Sequence, residues 1–418
     1  MGLTDIVNAQ LTHIASTDFT NVIPPNGVGQ QVNGFDAIIR YLGGLLSAYD
    51  LLTSDFVPEG TYDARLISAL LKQAVVVGEH LKPQFNTPSG LPASFVDFAT
   101  GMINNTMYKD PLNNVTYPDN NAAVCGTIIL EFYRLSDVTG DQSYRQLADR
   151  AEAYFVHPNP APAYPYLIGS ELDVETGNFI TFDFGCKATI DSFLEYLVKS
   201  YIYNPRKSLV SSQYLPFWLG AVQSSLTNIV ESPVGYPQLT YLTQADASGA
   251  KEHAMDDYAC FAGGNILYGS TYLQKEGSSA DNLAAYAKLG LDVTSSCHYL
   301  YTTTATGLGP EQWGWFDQPG KNTFNQTWTN NVTYQNSVKQ RGYFILNPEY
   351  DSFPESIESI WYAYRITGNQ MYQDWNWAIF NSIKAESDSA ARVQYSSIMN
   401  VYIPKSFMGD LPSFYFAE

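Results

Sequence analysis

Apolar residues return every three or four positions along most of the chain, as in AIIRYLGGLLSAYDLL (37–52), ARLISALLKQAVVVGEHL (64–81) and TIILEFYRLSDVTG (127–140). That is the period of a helix with one face turned to a core. The same spacing predicts helices over 143–155, 189–202, 281–300 and 356–367, while two-residue alternation is confined to short pieces. The pattern predicts an all-α fold with few short β-hairpins. No Pro/Gly/Ser-rich linker, charge run or low-complexity block interrupts it, so residues 1–418 read as a single domain.

Two turn chemistries recur between the helices. Thr139-Gly140-Asp141-Gln142-Ser143-Tyr144 is matched by Thr367-Gly368-Asn369-Gln370-Met371-Tyr372, each glycine suited to a left-handed C-cap before the next helix begins. Thr87-Pro88-Ser89-Gly90-Leu91-Pro92 is matched more loosely by Thr306-Gly307-Leu308-Gly309-Pro310. Alternating turns of this kind predict repeated helical hairpins, which stack as an open solenoid or close into a toroid. The glycine pairs Gly43-Gly44 and Gly263-Gly264 allow helices to approach closely and favour closure.

Composition narrows the partners. With 22 basic and 41 acidic residues the net charge is -19, which disfavours nucleic acid and anionic membrane surfaces and suits a neutral substrate or a cation. The 31 Tyr and 7 Trp serve equally for a large core and for stacking on sugar rings. Four cysteines, Cys125, Cys186, Cys260 and Cys297, allow at most two bridges and lack the close pairing of a zinc site. Sequons at Asn104, Asn114, Asn325 and Asn331 favour a secretory route. The opening MGLTDIVNAQ has neither a basic n-region nor an apolar h-region, so the chain reads as cytoplasmic or as missing its amino end.

Candidate chemistry is carboxylate chemistry. There is no G-x-S-x-G elbow or phosphate-binding glycine loop, and the five histidines form no i,i+4 metal pair. Inverting glycoside hydrolysis needs a carboxylic acid to protonate the leaving oxygen and a carboxylate to activate water on the opposite face. Asp36, Glu131, Asp191, Glu195, Glu311, Glu355 and Glu358 each lie near a helix start or inside an aromatic helix. The bland alternative is capping: Ser352, Pro354 and Glu355 predict a capping box at the head of PESIESIWYAYRITG.

FDAIIRYLGGLLSAYDL, LEFYRLSDVTGDQSY, DSFLEYLVKSY, ACFAGG, TGLGPE and PESIESIWYAYRITGNQMYQDWNWAIF, in that order across nearly the whole chain, resemble the class I alpha-1,2-mannosidases of glycoside hydrolase family 47, in their fungal branch. The resemblance implies an (α/α)7 toroid of seven helical hairpins in inner and outer rings. It implies an inverting, Ca2+-dependent enzyme that trims terminal alpha-1,2-linked mannose from high-mannose N-glycans. Its three essential acids fall on Asp36 (general acid), Asp191 (water activation or acid-base work) and Glu355 (the favoured base). Arg40, Glu131, Glu358, Phe414 and Glu418 fall on positions lining the sugar subsite, with Glu358 and Glu418 reaching calcium through water. Cys260 and Cys297 match the family's disulfide, which leaves Cys125 and Cys186 as buried thiols. A monomer of the secretory pathway, in the endoplasmic reticulum, the Golgi or outside the cell, follows, with membrane attachment only through a missing N-terminal anchor.

Three positions depart from that pattern. Asp36 stands where the family has glutamate, one methylene or about 1.5 Å shorter, and a displacement of about 1 Å can cost a hundredfold in rate. Asp257 stands at the histidine of H-x-x-C-F, and Phe353 at the arginine of R-P-E. An alternative alignment through Leu346-Asn347-Pro348-Glu349 makes Glu349 the catalytic glutamate; the one-turn spacing to Glu358 favours Glu355. Against the resembled pattern the chain reads as shortened at both ends, without the last helix, the C-terminal plug or the threonine that ligates calcium directly. The runner-up function is a weakened, lectin-like relative that binds mannose-rich glycans in quality control.

Overall fold

The computed structural model describes residues 3–20, 31–111, 113–203, 208–387 and 395–406. Helices dominate and the strands are short, as the periodicity predicts. The chain divides into two compact units, one formed by Met1–Pro160, Ser170–Thr181 and Lys199–Tyr214, the other by Ala161–Gly169, Phe182–Val198 and Leu215–Glu418.

In the first unit the helix Ala64–Leu81 starts where Asp63 accepts the Arg65 amide, and it buries Leu70, Ala74, Val77 and Leu81 as the 3.6-residue period requires. Thr4–Ser16 packs beside it, held by Gln73 Nε2, which donates to the carbonyls of Ile14 at 2.9 Å and Thr17 at 2.7 Å. A second helical run begins at Gly34–Asp36, capped by Asn33, passes through a π-helical stretch at Ala37–Leu42 and continues as Gly43–Thr53. The hairpin of Ile129–Thr139 and Ser143–Val156 turns on Gly140, whose φ of +79° is the predicted left-handed cap. Two three-stranded antiparallel sheets complete the unit: Gln31–Asn33, Phe95–Asp97 and Ile103–Asn104, then Thr106–Lys109, Thr116–Asn121 and Glu171–Asp173.

In the second unit the helices Phe261–Lys275 and Leu283–Thr302 form one hairpin, and Glu355–Thr367 and Gln370–Glu386 another. Gly368, at φ +69°, closes the first helix of the latter pair, and Asn369 caps the second by accepting the Met371 amide. The predicted close approach is real at Gly264, where a Cβ would fall 2.9 Å from Ser359 Cα on the facing helix. It is not needed at Gly44, beside which a Cβ would meet nothing within 4 Å. Strands Ala254–Asp256, Gln312–Gly314 and Phe344–Asn347 form an antiparallel sheet with the 312 strand central. Asn325 and Asn331 cap two short helices, each side chain accepting two backbone amides. The cysteines pair as expected: Cys260 and Cys297 are bridged, and Cys125 and Cys186 are buried thiols.

The capping box does not form. Ser352 sits at φ +61°, and the helix begins at Glu355 after Pro354 with no side-chain cap bond. Its hydroxyl is buried and the Glu355 carboxyl is left for other work.

Candidate active site

The predicted site residues fall in both units. In the first unit Asp36 ends the opening turn of its helix, with its amide donating to Asn33 Oδ1 at 3.1 Å. One turn on, Arg40 reaches back to it, Nη2 to Oδ1 at 3.2 Å, with both side chains about one-third exposed (37% and 38%). Arg40 lies in the π-helical stretch, a distortion that recurs at functional sites because it re-aims a side chain. Glu131, in the first turn of Ile129–Thr139, is buried, and it comes to the same helix where Gly43 leaves room: a Cβ there would lie 3.4 Å from Glu131 Oε1. Arg40, Tyr41 and Gly44 border a cavity of about 880 Å³ whose rim also carries His13, Asp18 and Phe19.

In the second unit the acids occupy the first turns of two helices. Asp191 opens Asp191–Tyr203 and accepts the Ser192 amide at 2.8 Å. Burial dominates its behaviour and pushes its carboxyl well above the usual range, and the charges of Asp256 and Glu195 push the same way. Glu355 opens Glu355–Thr367, and its Oε2 is buried without a hydrogen-bond partner. Burial again pushes the group well above its usual range, followed by the charges of Asp257, Asp191 and Glu358, while its own backbone amide opposes them. Both residues keep some surface in contact with solvent. Two carboxyl groups with raised proton affinity, one of them raised in part by the other's charge, are what proton transfer near neutral pH requires.

Around this pair lie further acids, among them Asp256, which the motifs did not single out. Asp256 ends the strand Ala254–Asp256, and burial pushes it up to about 7; Asp257 is buried, with the same shift to about 7. Tyr301 and Tyr350 are buried against Asp257 and Glu355. The sequence signal for this group is the doublet Asp256-Asp257 just before the bridged Cys260. Glu311 and Glu349 lie together on the neighbouring loops, the Glu311 amide donating to Glu349 O at 2.9 Å and Asn347 Nδ2 reaching both carboxylates. Burial, then Asp351 and Glu349, raise Glu311. Phe353, at the arginine position, packs its ring 4.7 Å from Tyr258. Glu418 and Phe414 lie outside the described residues.

The model of the family described as glycosyl hydrolase family 47 matches residues 1–418. The chain belongs to glycosyl hydrolase family 47. Among relatives of this family-47 chain, a probable mannosyl-oligosaccharide alpha-1,2-mannosidase 1B of Aspergillus clavatus is 35% identical over 95% of the chain and 70% of that protein. The mannosyl-oligosaccharide alpha-1,2-mannosidase 1B of Aspergillus phoenicis is 32% identical over 99% and 73%. The solved alpha-1,2-mannosidase from Trichoderma reesei superposes with a TM-score of 0.85, at 32% identity, covering 100% of the chain and 80% of that structure. The family-47 chain is a glycoside hydrolase, and its helical fold matches that of the Trichoderma reesei alpha-1,2-mannosidase.

The resemblance implies calcium, which takes its ligands from hard oxygen donors. Among the described residues no three His, Cys, Asp or Glu side chains are grouped as a metal ion requires, and Glu358 alone does not make a site for a cation that takes six to eight oxygens. Also among the described residues, no helix is long and apolar enough to cross a membrane.

Proposed function

We propose that this chain removes terminal alpha-1,2-linked mannose from high-mannose N-glycans, with Asp191 and Glu355 as the proton-handling carboxyl groups of its second unit. The observation that supports it is the pair's setting: two helix-opening acids, both raised by burial and Glu355 also by the charge of Asp191, in a family whose named relatives are alpha-1,2-mannosidases. Glycosidic cleavage asks for one carboxyl group to give a proton to the leaving oxygen and another to take one from water. Raised proton affinity lets a carboxyl group hold its proton until the leaving oxygen needs it. Inversion at the sugar carbon belongs to this proposal.

Asp36 enters through its motif, paired with Arg40. Arg40, Glu131 and Glu358 are the proposed sugar-binding residues. Glu355 is preferred to Glu349 because its buried oxygen lacks a partner, whereas Glu349 Oε2 is met by Asn347 Nδ2 at 3.5 Å. The secretory pathway and glycosylation at the four sequons complete the reading. A lectin-like relative is not favoured, since the relatives are named as mannosidases.

Mannose release from a high-mannose N-glycan, followed by proton NMR of the anomeric signal, tests the proposal. Beta-mannose is expected to appear first, and Glu355→Gln is expected to lower kcat by about 10²–10⁴-fold, the usual contribution of a positioned proton-transfer group. No release by the unaltered chain, or full activity in the variant, overturns it.

A further inference from the structure

The chain reaches Asp191 through a loop whose backbone is bonded to a neighbouring segment. Phe182 donates its amide to Ala247 O at 3.2 Å, and Phe184 O accepts the Ala245 amide at 2.9 Å. The two backbones lie close together: a Cβ on Gly185, whose φ is +133°, would fall 3.0 Å from Gln244 Cβ and 3.1 Å from its Cα. Gln244 in turn donates its amide to Ala254 O at 3.1 Å, at the head of the strand that ends in Asp256. The loop before Asp191 is thereby tied to the sheet.

One residue closes this arrangement from both its side chain and its main chain. Asp183 is 3% exposed, and its Oδ2 lies 2.5 Å from Lys187 Nζ. A carboxylate buried to that degree is held at low cost only beside a partner of opposite charge. The same ammonium donates to Ala245 O at 3.4 Å, so the lysine spans from the end of the loop to its start and across to the facing segment. The carbonyl of Lys187 accepts the amides of Ile190 at 2.8 Å and of Asp191 at 2.9 Å. These lie at the opening of Asp191–Tyr203, where a helix leaves its amides without partners of its own.

We propose that Lys187 is a positioning residue for Asp191. Its ammonium, held by Asp183 and the Ala245 carbonyl, fixes where its own carbonyl sits. That carbonyl fixes the first turn from which the Asp191 carboxyl group is presented to the sugar. The inference rests on the proton-handling role proposed for Asp191, but one of its two readouts is independent of that role.

Amide hydrogen exchange at Ile190 and Asp191 reads the anchor directly. Lys187→Met keeps the bulk and removes the charge, and it is expected to speed exchange at both amides by about tenfold or more while the helix Phe261–Lys275 exchanges as before. Lys187→Arg keeps a cation for Asp183 and is expected to exchange as the unaltered chain does. Kinetics read the consequence. In Lys187→Met, kcat per folded molecule is expected to fall about ten- to a hundredfold with KM little changed, the cost of displacing a reacting group by up to about 1 Å. Lys187→Arg is expected to restore most of it. Asp183→Asn is expected to reproduce the loss, and adding Lys187→Met to it to cost nothing further, as for two ends of one contact. Asp183→Asn also carries the test where Lys187→Met does not fold. Unchanged exchange in both variants overturns the anchor, and faster exchange with unchanged kcat overturns the positioning role. Full activity in Asp191→Asn overturns the role proposed for Asp191 and this inference with it, a failure told apart from the others because it leaves the exchange rates of the Lys187 variants as expected.

Discussion

Glu152 is wholly enclosed in the first unit, and neither of its carboxyl oxygens has a hydrogen-bond partner. Burial, then the charge of Asp149, pushes its proton affinity well above normal. A group whose folded pKa is raised binds its proton more tightly folded than unfolded. Its penalty is therefore absent below the unfolded value near 4.5 and grows as pH rises from there towards the folded one. Glu152→Met is expected to raise stability by about 1–3 kcal/mol at pH 8 and by little at pH 4, measured by urea unfolding at both. A gain of equal size at both pH values contradicts this account. Motifs single out Asp191 and Glu355 because their neighbours in sequence are distinctive. They say nothing of Glu152, whose surroundings come from distant segments, or of the contact between Asp257 and Ser356, 99 residues apart.

Ser359 shows how much of the second unit's geometry hangs on single contacts between helices. Fully buried, its hydroxyl bridges the turn at Cys260 and the first turn of Phe261–Lys275 to the helix Glu355–Thr367. Ser359→Ala leaves the Gly264 amide without that acceptor and is expected to cost about 1–3 kcal/mol in thermal or chemical unfolding, with reduced kcat as the turn at Cys260 shifts against the helix that carries Glu355. An unchanged melting curve would contradict this. Helices with clear apolar stripes were legible, Ala64–Leu81 to the residue, and so were the twin turns at Gly140 and Gly368. Tyr214–Asn228 and Val332–Arg341 were not. The first carries Pro216 near its start and apolar residues around most of its circumference, and the second is largely polar, so neither shows a one-sided period. The capping box failed because Ser352 takes a left-handed conformation that places it outside the helix entry.

For the whole molecule, the bridge between Cys260 and Cys297 closes a segment of 37 residues and fixes the Asp257 turn. Loop-closure entropy for that span predicts about 2–4 kcal/mol of stabilisation. Reduction, or Cys297→Ser, is expected to lower the midpoint of thermal unfolding and the rate of mannose release together; loss of either alone would separate fold from site. The all-α class and the family's fold could be read from periodicity and motif order. The division into two compact units could not, because it depends on contacts between segments far apart in sequence. The capping role of Asn325 and Asn331 bears on how glycosylation at their sequons should be tested. Each side chain's Oδ1 accepts two amides, whereas a sugar attaches through the nitrogen, so cap and glycan are compatible. Replacing either asparagine by glutamine would strip a helix of its cap, and the resulting instability would be mistaken for the effect of a lost sugar. Thr327→Ala and Thr333→Ala abolish the same acceptor sequences while leaving both asparagines, and the amides they hold, in place.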